Sequence, residues 1–90
     1  MWYVYVLSSV KTKFMYIGST NNLERRLTQH NDGEVQSTKA YAPYKVSAYV
    51  AVETEKQARN LEQYFKTGSG KAILIKRILG SNPLETEASA

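Results

Sequence analysis

Ninety residues with a formal net charge of +4, 42% hydrophobic and 22% charged, have the composition of one globular domain. That excludes a disordered chain and two independent cores, since a chain of this size buries only roughly 64% of its unfolded surface. The absence of cysteine excludes a disulfide framework and a thiolate metal site. The apolar run Val4–Leu7 is far too short for a bilayer span, and no basic leader precedes it, which sets the expectation of a soluble, cytoplasmic protein.

The chain is basic and carries seven tyrosines against two phenylalanines. Trp2-Tyr3-Val4-Tyr5-Val6-Leu7 is aromatic and β-branched throughout and reads as a strand buried on both faces. Ser8 to Lys13 connects it to a second strand, Phe14 to Gly18, in an antiparallel hairpin. Asn21 with Glu24 resembles a capping box, so a helix is expected from about Asn22 to His30, ended by Asn31-Asp32-Gly33. A polar loop to Pro43 leads into a strand from Lys45 to Glu53, in which Val46, Ala48, Val50 and Val52 alternate against Ser47, Tyr49 and Ala51. Thr54 with Gln57 opens a helix to about Lys66, and Gly68-Ser69-Gly70 breaks it. A short helix from Lys71 to Leu79 closes at Gly80. The predicted class is α+β: a three-stranded antiparallel sheet with helices in the order β-β-α-β-α-α, one domain over residues 1–80, and a polar, frayed tail over 81–90.

Polar groups fall where apolar ones are expected. Leu23, Arg26, Leu27 and His30 share one face of the first predicted helix. The ordinary reading of Arg26 is a side chain snorkelling off the core edge, and of His30 a cation favoured at a helix C-terminus. Glu62 joins the Ala58-Leu61-Phe65 stripe of the second helix, where a carboxylate needs a partner: the ordinary one is Arg26, the functional one a metal ion. Residues 56–77 carry six cations and the single acid Glu62, a net +5, which marks Glu62 as a functional-site candidate. Gly68-Ser69-Gly70-Lys71 lacks the remainder of a phosphate-binding loop, with Phe65 and Ala72 at the required positions. With His30 the only histidine, no His-Cys or paired-His metal motif exists.

Tyr3-Val4-Tyr5, then Tyr16-Ile17-Gly18, then Asn22 to His30 with Arg26, and Glu62 in the later helix, resemble the GIY-YIG nuclease superfamily over roughly residues 2–80. The likeness is to small single-domain bacterial members. Tyr3 and Val4 replace the glycine and isoleucine of the first motif. The C-terminal asparagine of some branches finds no aligned counterpart, Asn60 and Asn82 being merely nearby.

The resemblance implies a metal-dependent endonuclease hydrolysing DNA, with Tyr5, Tyr16, Arg26, His30 and Glu62 as site residues. Glu62 would hold one divalent ion, Mg²⁺ or Mn²⁺. One carboxylate with water and substrate phosphate suffices for Mg²⁺, and the planar arginine fork matches phosphate oxygens. Tyr16 is the implied base or water-positioner and Tyr5 a hydrogen-bonding partner. His30 rivals Tyr16 on intrinsic pKa, or orients Tyr5 or a phosphate. Taken singly, both tyrosines read as strand packing. Lys39, Tyr41, Tyr44, Lys45, Lys66 and Lys71 are candidate nucleic-acid contacts, while Tyr49 and Tyr64 read as packing residues. The alternatives are a non-catalytic nucleic-acid-binding module of the same fold and an adaptor whose core merely retains polar residues. Specificity is left to loops, substrate shape, a homodimer or a protein partner.

Overall fold

The computed structural model describes residues 1–80. Its sheet has the order β2-β1-β3, all antiparallel, from β1 (Trp2–Ser9), β2 (Met15–Thr20) and β3 (Tyr44–Val52). Three α-helices accompany it: α1 (Leu23–Asn31), α2 (Glu55–Phe65) and α3 (Gly68–Ile73), the last running on into a π-helical turn, Leu74–Ile78. The predicted α+β class and element order therefore hold. The predicted tail, 81–90, lies outside the described residues.

β1 is central, which is why both of its faces are apolar. Val4 and Val6 point to one side and pack with Ile17, Ala58, Phe65 and Leu74, so α2 and the C-terminal helices cover that face. Tyr5 and Leu7 point to the other and pack with Tyr44, Phe14, Tyr16, Leu23 and Leu27, so α1 covers it. Fully burying each large aliphatic side chain contributes about 1.5–3 kcal/mol, and β1 supplies Val4, Val6 and Leu7, each 1% exposed.

Three local expectations change and one holds. The valines of β3 do not share one face: the register against β1 shifts between Val6 and Leu7, with Ala48 opposite Val6 and Val46 opposite Leu7. This bulge turns Val46 into the α1-side cluster while Val50 and Val52 stay on the α2 side. The N-cap of α1 is Asn22, not Asn21; its side chain accepts from the Arg25 backbone N–H, whereas Asn21 accepts from the Arg25 guanidinium. Thr54 and Gln57 do form the predicted capping box of α2. Gly68-Ser69-Gly70 starts α3 rather than merely ending α2, because Thr67 caps the Gly70 N–H. Gly70 is there for close approach, since a Cβ would stand 1.8 Å from the Tyr64 carbonyl oxygen. No helix among the described residues is long and apolar enough to cross a membrane.

Candidate active site

The two faces of the sheet meet at its β2 edge. There an open cleft of about 510 Å³ takes Tyr5, Tyr16, Gly18, Arg26 and Gln29 from the α1 side and Trp2, Ser19, Arg59 and Glu62 from the α2 side, with Thr20, Asn21 and Arg25 at the β2–α1 turn.

The phenol of Tyr5 reaches this cleft because Gly18 lies opposite it in the β1–β2 ladder. A Cβ at Gly18 would stand 2.5 Å from the Tyr5 hydroxyl oxygen and 2.9 Å from Cε2 of Tyr16. Both rings pack into the space that a side chain there would need.

Behind Tyr5 runs a hydrogen-bond chain whose direction is fixed by its far end. The Thr38 hydroxyl donates to the Val35 carbonyl, so toward His30 it accepts, and the 2.7 Å contact is a bond from His30 Nδ1–H. Nε2 is then a bare lone pair that accepts from the Tyr5 hydroxyl at 3.0 Å. The Tyr5 oxygen in turn accepts from Arg26 Nε at 3.4 Å, and Gln29 Oε1 accepts from the other end of the guanidinium at 3.0 Å. A neutral, Nδ1-protonated His30 satisfies every member of the chain.

Electrostatics agree. Burial, with the Arg26 charge second, pushes the His30 pKa down to about 4. Burial likewise raises the pKa of Tyr5, against the Arg26 hydrogen bond, so its hydroxyl stays protonated at neutral pH. Arg26 is held more firmly protonated, first by its bond to Tyr5 and, with burial opposing, by the nearby Tyr16 hydroxyl as well. His30 is fully buried and does not line the cleft, with Nδ1 on Thr38 and Nε2 on Tyr5, a geometry that fits orienting Tyr5 better than meeting water as a base. The unfolded chain binds a proton on this imidazole near 6.5 and the folded chain only near 4, so its contribution to stability is complete above about pH 6.5 and falls by about 3 kcal/mol toward pH 4. An imidazole NMR titration is expected to stay flat down to about pH 5; a midpoint near the ordinary histidine value would contradict the buried, neutral assignment.

Glu62 does not pair with Arg26. Its Oε1 accepts from the Ser19 hydroxyl and its Oε2 from Lys66 Nζ, both at 2.6 Å. Burial works to raise its pKa, but the Lys66 and Ser19 hydrogen bonds and the charges of Lys66 and Arg59 outweigh it, and the net shift is downward. Its side chain is 14% exposed and ionised through the neutral range. No cluster of three or more His, Cys, Asp or Glu exists among the described residues. The donor set therefore fits one divalent ion held by Glu62 with water and substrate phosphate, and does not form a preassembled metal cage.

The candidate contacts divide. Lys66 and Lys71, with Met15, Tyr16 and Ile17, line a second groove of about 220 Å³ beyond Tyr16. Lys39, Tyr41 and Lys45 are exposed but lie outside the cleft, toward the Ser8–Ser9 end of β1; Tyr41 stacks on Phe14 with ring centroids 4.6 Å apart. Tyr44 is withdrawn from the contact set: it is 4% exposed, and its hydroxyl donates to the Thr38 carbonyl, bracing the loop that carries Thr38. Tyr49 and Tyr64, read as packing residues, are 57% and 42% exposed, Tyr49 standing edge-on to Tyr3. Sequence reasoning missed Ser19, Gln29, Thr38 and Arg59. Helical spacing could have found two of these: Gln29 is three residues after Arg26, and Arg59, four after Glu55 with which it pairs at 2.7 Å, stacks its guanidinium 5.9 Å from Trp2.

The model of the GIY-YIG catalytic domain matches residues 1–74. The chain belongs to the GIY-YIG family. Among its relatives is a UPF0213 protein of Bacillus licheniformis, 41% identical over 70 residues, 77% of this chain and 71% of that one. A UPF0213 protein of Clostridium perfringens is 37% identical over 67 residues, 73% of this chain and 71% of that one. The solution structure of the UPF0213 protein BH0048 from Bacillus halodurans superposes with a TM-score of 0.52 at 26% identity, covering 99% of this chain and 96% of that one. This GIY-YIG domain thus stands in a nuclease superfamily and shares its sheet and helices with a small bacterial member.

Proposed function

We propose that the chain is a divalent-metal-dependent endonuclease that hydrolyses phosphodiester bonds in DNA. The observation that carries this reading is the convergence of Tyr5, Tyr16, Arg26 and the ionised Glu62 on one open cleft. Packing alone does not require an arginine and a carboxylate to face the same pair of phenols.

Arg26, charged and braced by Gln29 and Tyr5, binds the scissile phosphate and meets the negative charge that grows on its oxygens. Tyr5, kept protonated by burial and oriented by His30, fixes the guanidinium and offers its own oxygen only to the site. Tyr16 lies beside Arg26 at the cleft wall and positions or deprotonates the attacking water. Glu62 would hold the ion, Mg²⁺ or Mn²⁺, which supplies charge stabilisation at the phosphate and at the departing 3′ oxygen. Ser19 keeps the carboxylate turned toward the cleft.

Release of the 3′ oxygen requires products with a 5′-phosphate and a 3′-hydroxyl. Labelled duplex, flap and branched oligonucleotides incubated with Mg²⁺ or Mn²⁺ are expected to yield those ends. The second reading, a nucleic-acid-binding module without catalysis, draws on the Lys66–Glu62 pair, which already neutralises the carboxylate. Binding of all three substrates with cleavage of none would favour it.

A further inference from the structure

Lys66 follows the last residue of α2 and belongs to two sites at once. Its ammonium donates to Glu62 Oε2 at 2.6 Å, and its side chain, 43% exposed, also lines the groove it shares with Lys71. That groove and the main cleft have Tyr16 in common, so they are contiguous across one ring. The groove is walled by two lysines over Met15 and Ile17 and no acid lines it; Glu62 is the one acid lining the cleft. With Ser19 on Oε1 and Lys66 on Oε2, both oxygens of that carboxylate already have a partner.

The pair is built to exchange. With its lysine 43% exposed, this i,i+4 ion pair is held weakly enough to exchange, and lysine is a compact charge on a flexible stem that can turn to a phosphate. Because the cleft and the groove share Tyr16, a strand that runs from one into the other with its scissile phosphate on Arg26 would bring its neighbouring phosphate to the two lysines. We propose that Lys66 is a displaceable cation, capping Glu62 in the free protein and moving into the Lys71 groove to meet that neighbouring phosphate. Glu62 then becomes available to the divalent ion only when a strand is bound. The inference rests on the nuclease reading and adds to it a second phosphate subsite and the expectation that the unloaded protein holds metal weakly.

Mn²⁺ binding to the protein without nucleic acid, followed by the electron paramagnetic resonance of free Mn²⁺, tests the cap. Lys66→Met keeps the apolar stem and removes the charge, and is expected to bind Mn²⁺ about tenfold more tightly than wild type; adding Glu62→Gln should abolish the gain. Unchanged affinity in Lys66→Met, including none detectable in either protein, overturns the displaceable cation. A gain that survives Glu62→Gln overturns instead the assignment of the ion to Glu62, on which the nuclease reading depends. The subsite is tested in EDTA by the affinity for an oligonucleotide. Lys71→Ala is expected to weaken it and to lower the salt slope by about 1. Lys56→Ala, an equal loss of charge one residue round α2 from Glu55, should do neither. Equal losses in both variants would reduce the groove to general basic surface and overturn the subsite.

Discussion

Glu62→Ala is expected to lower metal-dependent strand cleavage by about a thousandfold, the equivalent of the several kcal/mol that a bound ion supplies to charge developing in a transition state. Affinity for the nucleic acid should stay the same or tighten slightly, because the substitution removes the one acid from a cleft that also holds Arg25, Arg26 and Arg59. The fold should tolerate it. Lys66 is 43% exposed and returns to water, and Ser19 is only half-buried, so the loss is about 1 kcal/mol at most. The pH dependence has a definite sign. A carboxyl with a lowered folded pKa contributes stability that is complete above its ordinary value of 4.5 and is lost as pH falls through the lowered one. Glu62 therefore remains ionised through mildly acidic conditions, and an acid limb in the rate near neutrality would belong to another group. Gel-shift titrations in EDTA beside cleavage assays separate the two effects; a parallel loss of binding and cleavage would mean that Glu62 acts on the fold or on docking instead.

Gly18→Ala should cost both stability and activity, for a reason unrelated to dihedral freedom. Positive φ occurs at Gly33 and Gly80, not at Gly18. The constraint is the 2.5 Å from the new Cβ to the Tyr5 hydroxyl and 2.7 Å to its ring carbon, with Tyr16 at 2.9 Å. Tyr5 is 2% exposed and bonded to His30 and Arg26, so its ring cannot swing aside without breaking the chain that fixes the arginine. Overpacking of this kind costs about 1–3 kcal/mol, which in a domain of this size lowers Tm by roughly 5–20 °C. Cleavage should fall even where the variant remains folded, since both phenols move while Glu62 stays in place. A wild-type melting curve and a wild-type rate would show that neither ring depends on the missing side chain.

Much of this geometry was legible because helical and strand periods are strict. Glu62 falls on the Ala58–Phe65 stripe by spacing, and it does face the sheet side of α2. His30 falls on the Leu23–Leu27 face by the same rule, but its depth was not legible. Its burial depends on Thr38 and Tyr44, both beyond the end of its helix, and pattern within one helix carries no information about them. The partners of Glu62 illustrate the same limit. Lys66, one turn along, was open to inspection, whereas Ser19 is 43 residues away and meets the carboxylate only because β2 and α2 pack together. The bulge opposite Val6/Leu7 escaped because an alternating run looks identical with or without an added residue in its partner register. Tyr44 misled for a chemical reason: between loop and strand, a tyrosine beside lysines resembles a nucleic-acid contact. Here its hydroxyl instead satisfies a buried carbonyl.

On the proposed reading, Glu62 and the phenol–arginine cluster that shares its cleft make this GIY-YIG domain a metal-dependent nuclease. The most direct test is the initial rate of supercoiled-plasmid nicking as Mn²⁺ or Mg²⁺ is raised, with wild type and Glu62→Ala purified side by side. A saturable, EDTA-sensitive rate in wild type that is missing from the variant is the expected result. Equal rates in the two proteins, or no nicking by wild type at any metal concentration, would contradict it.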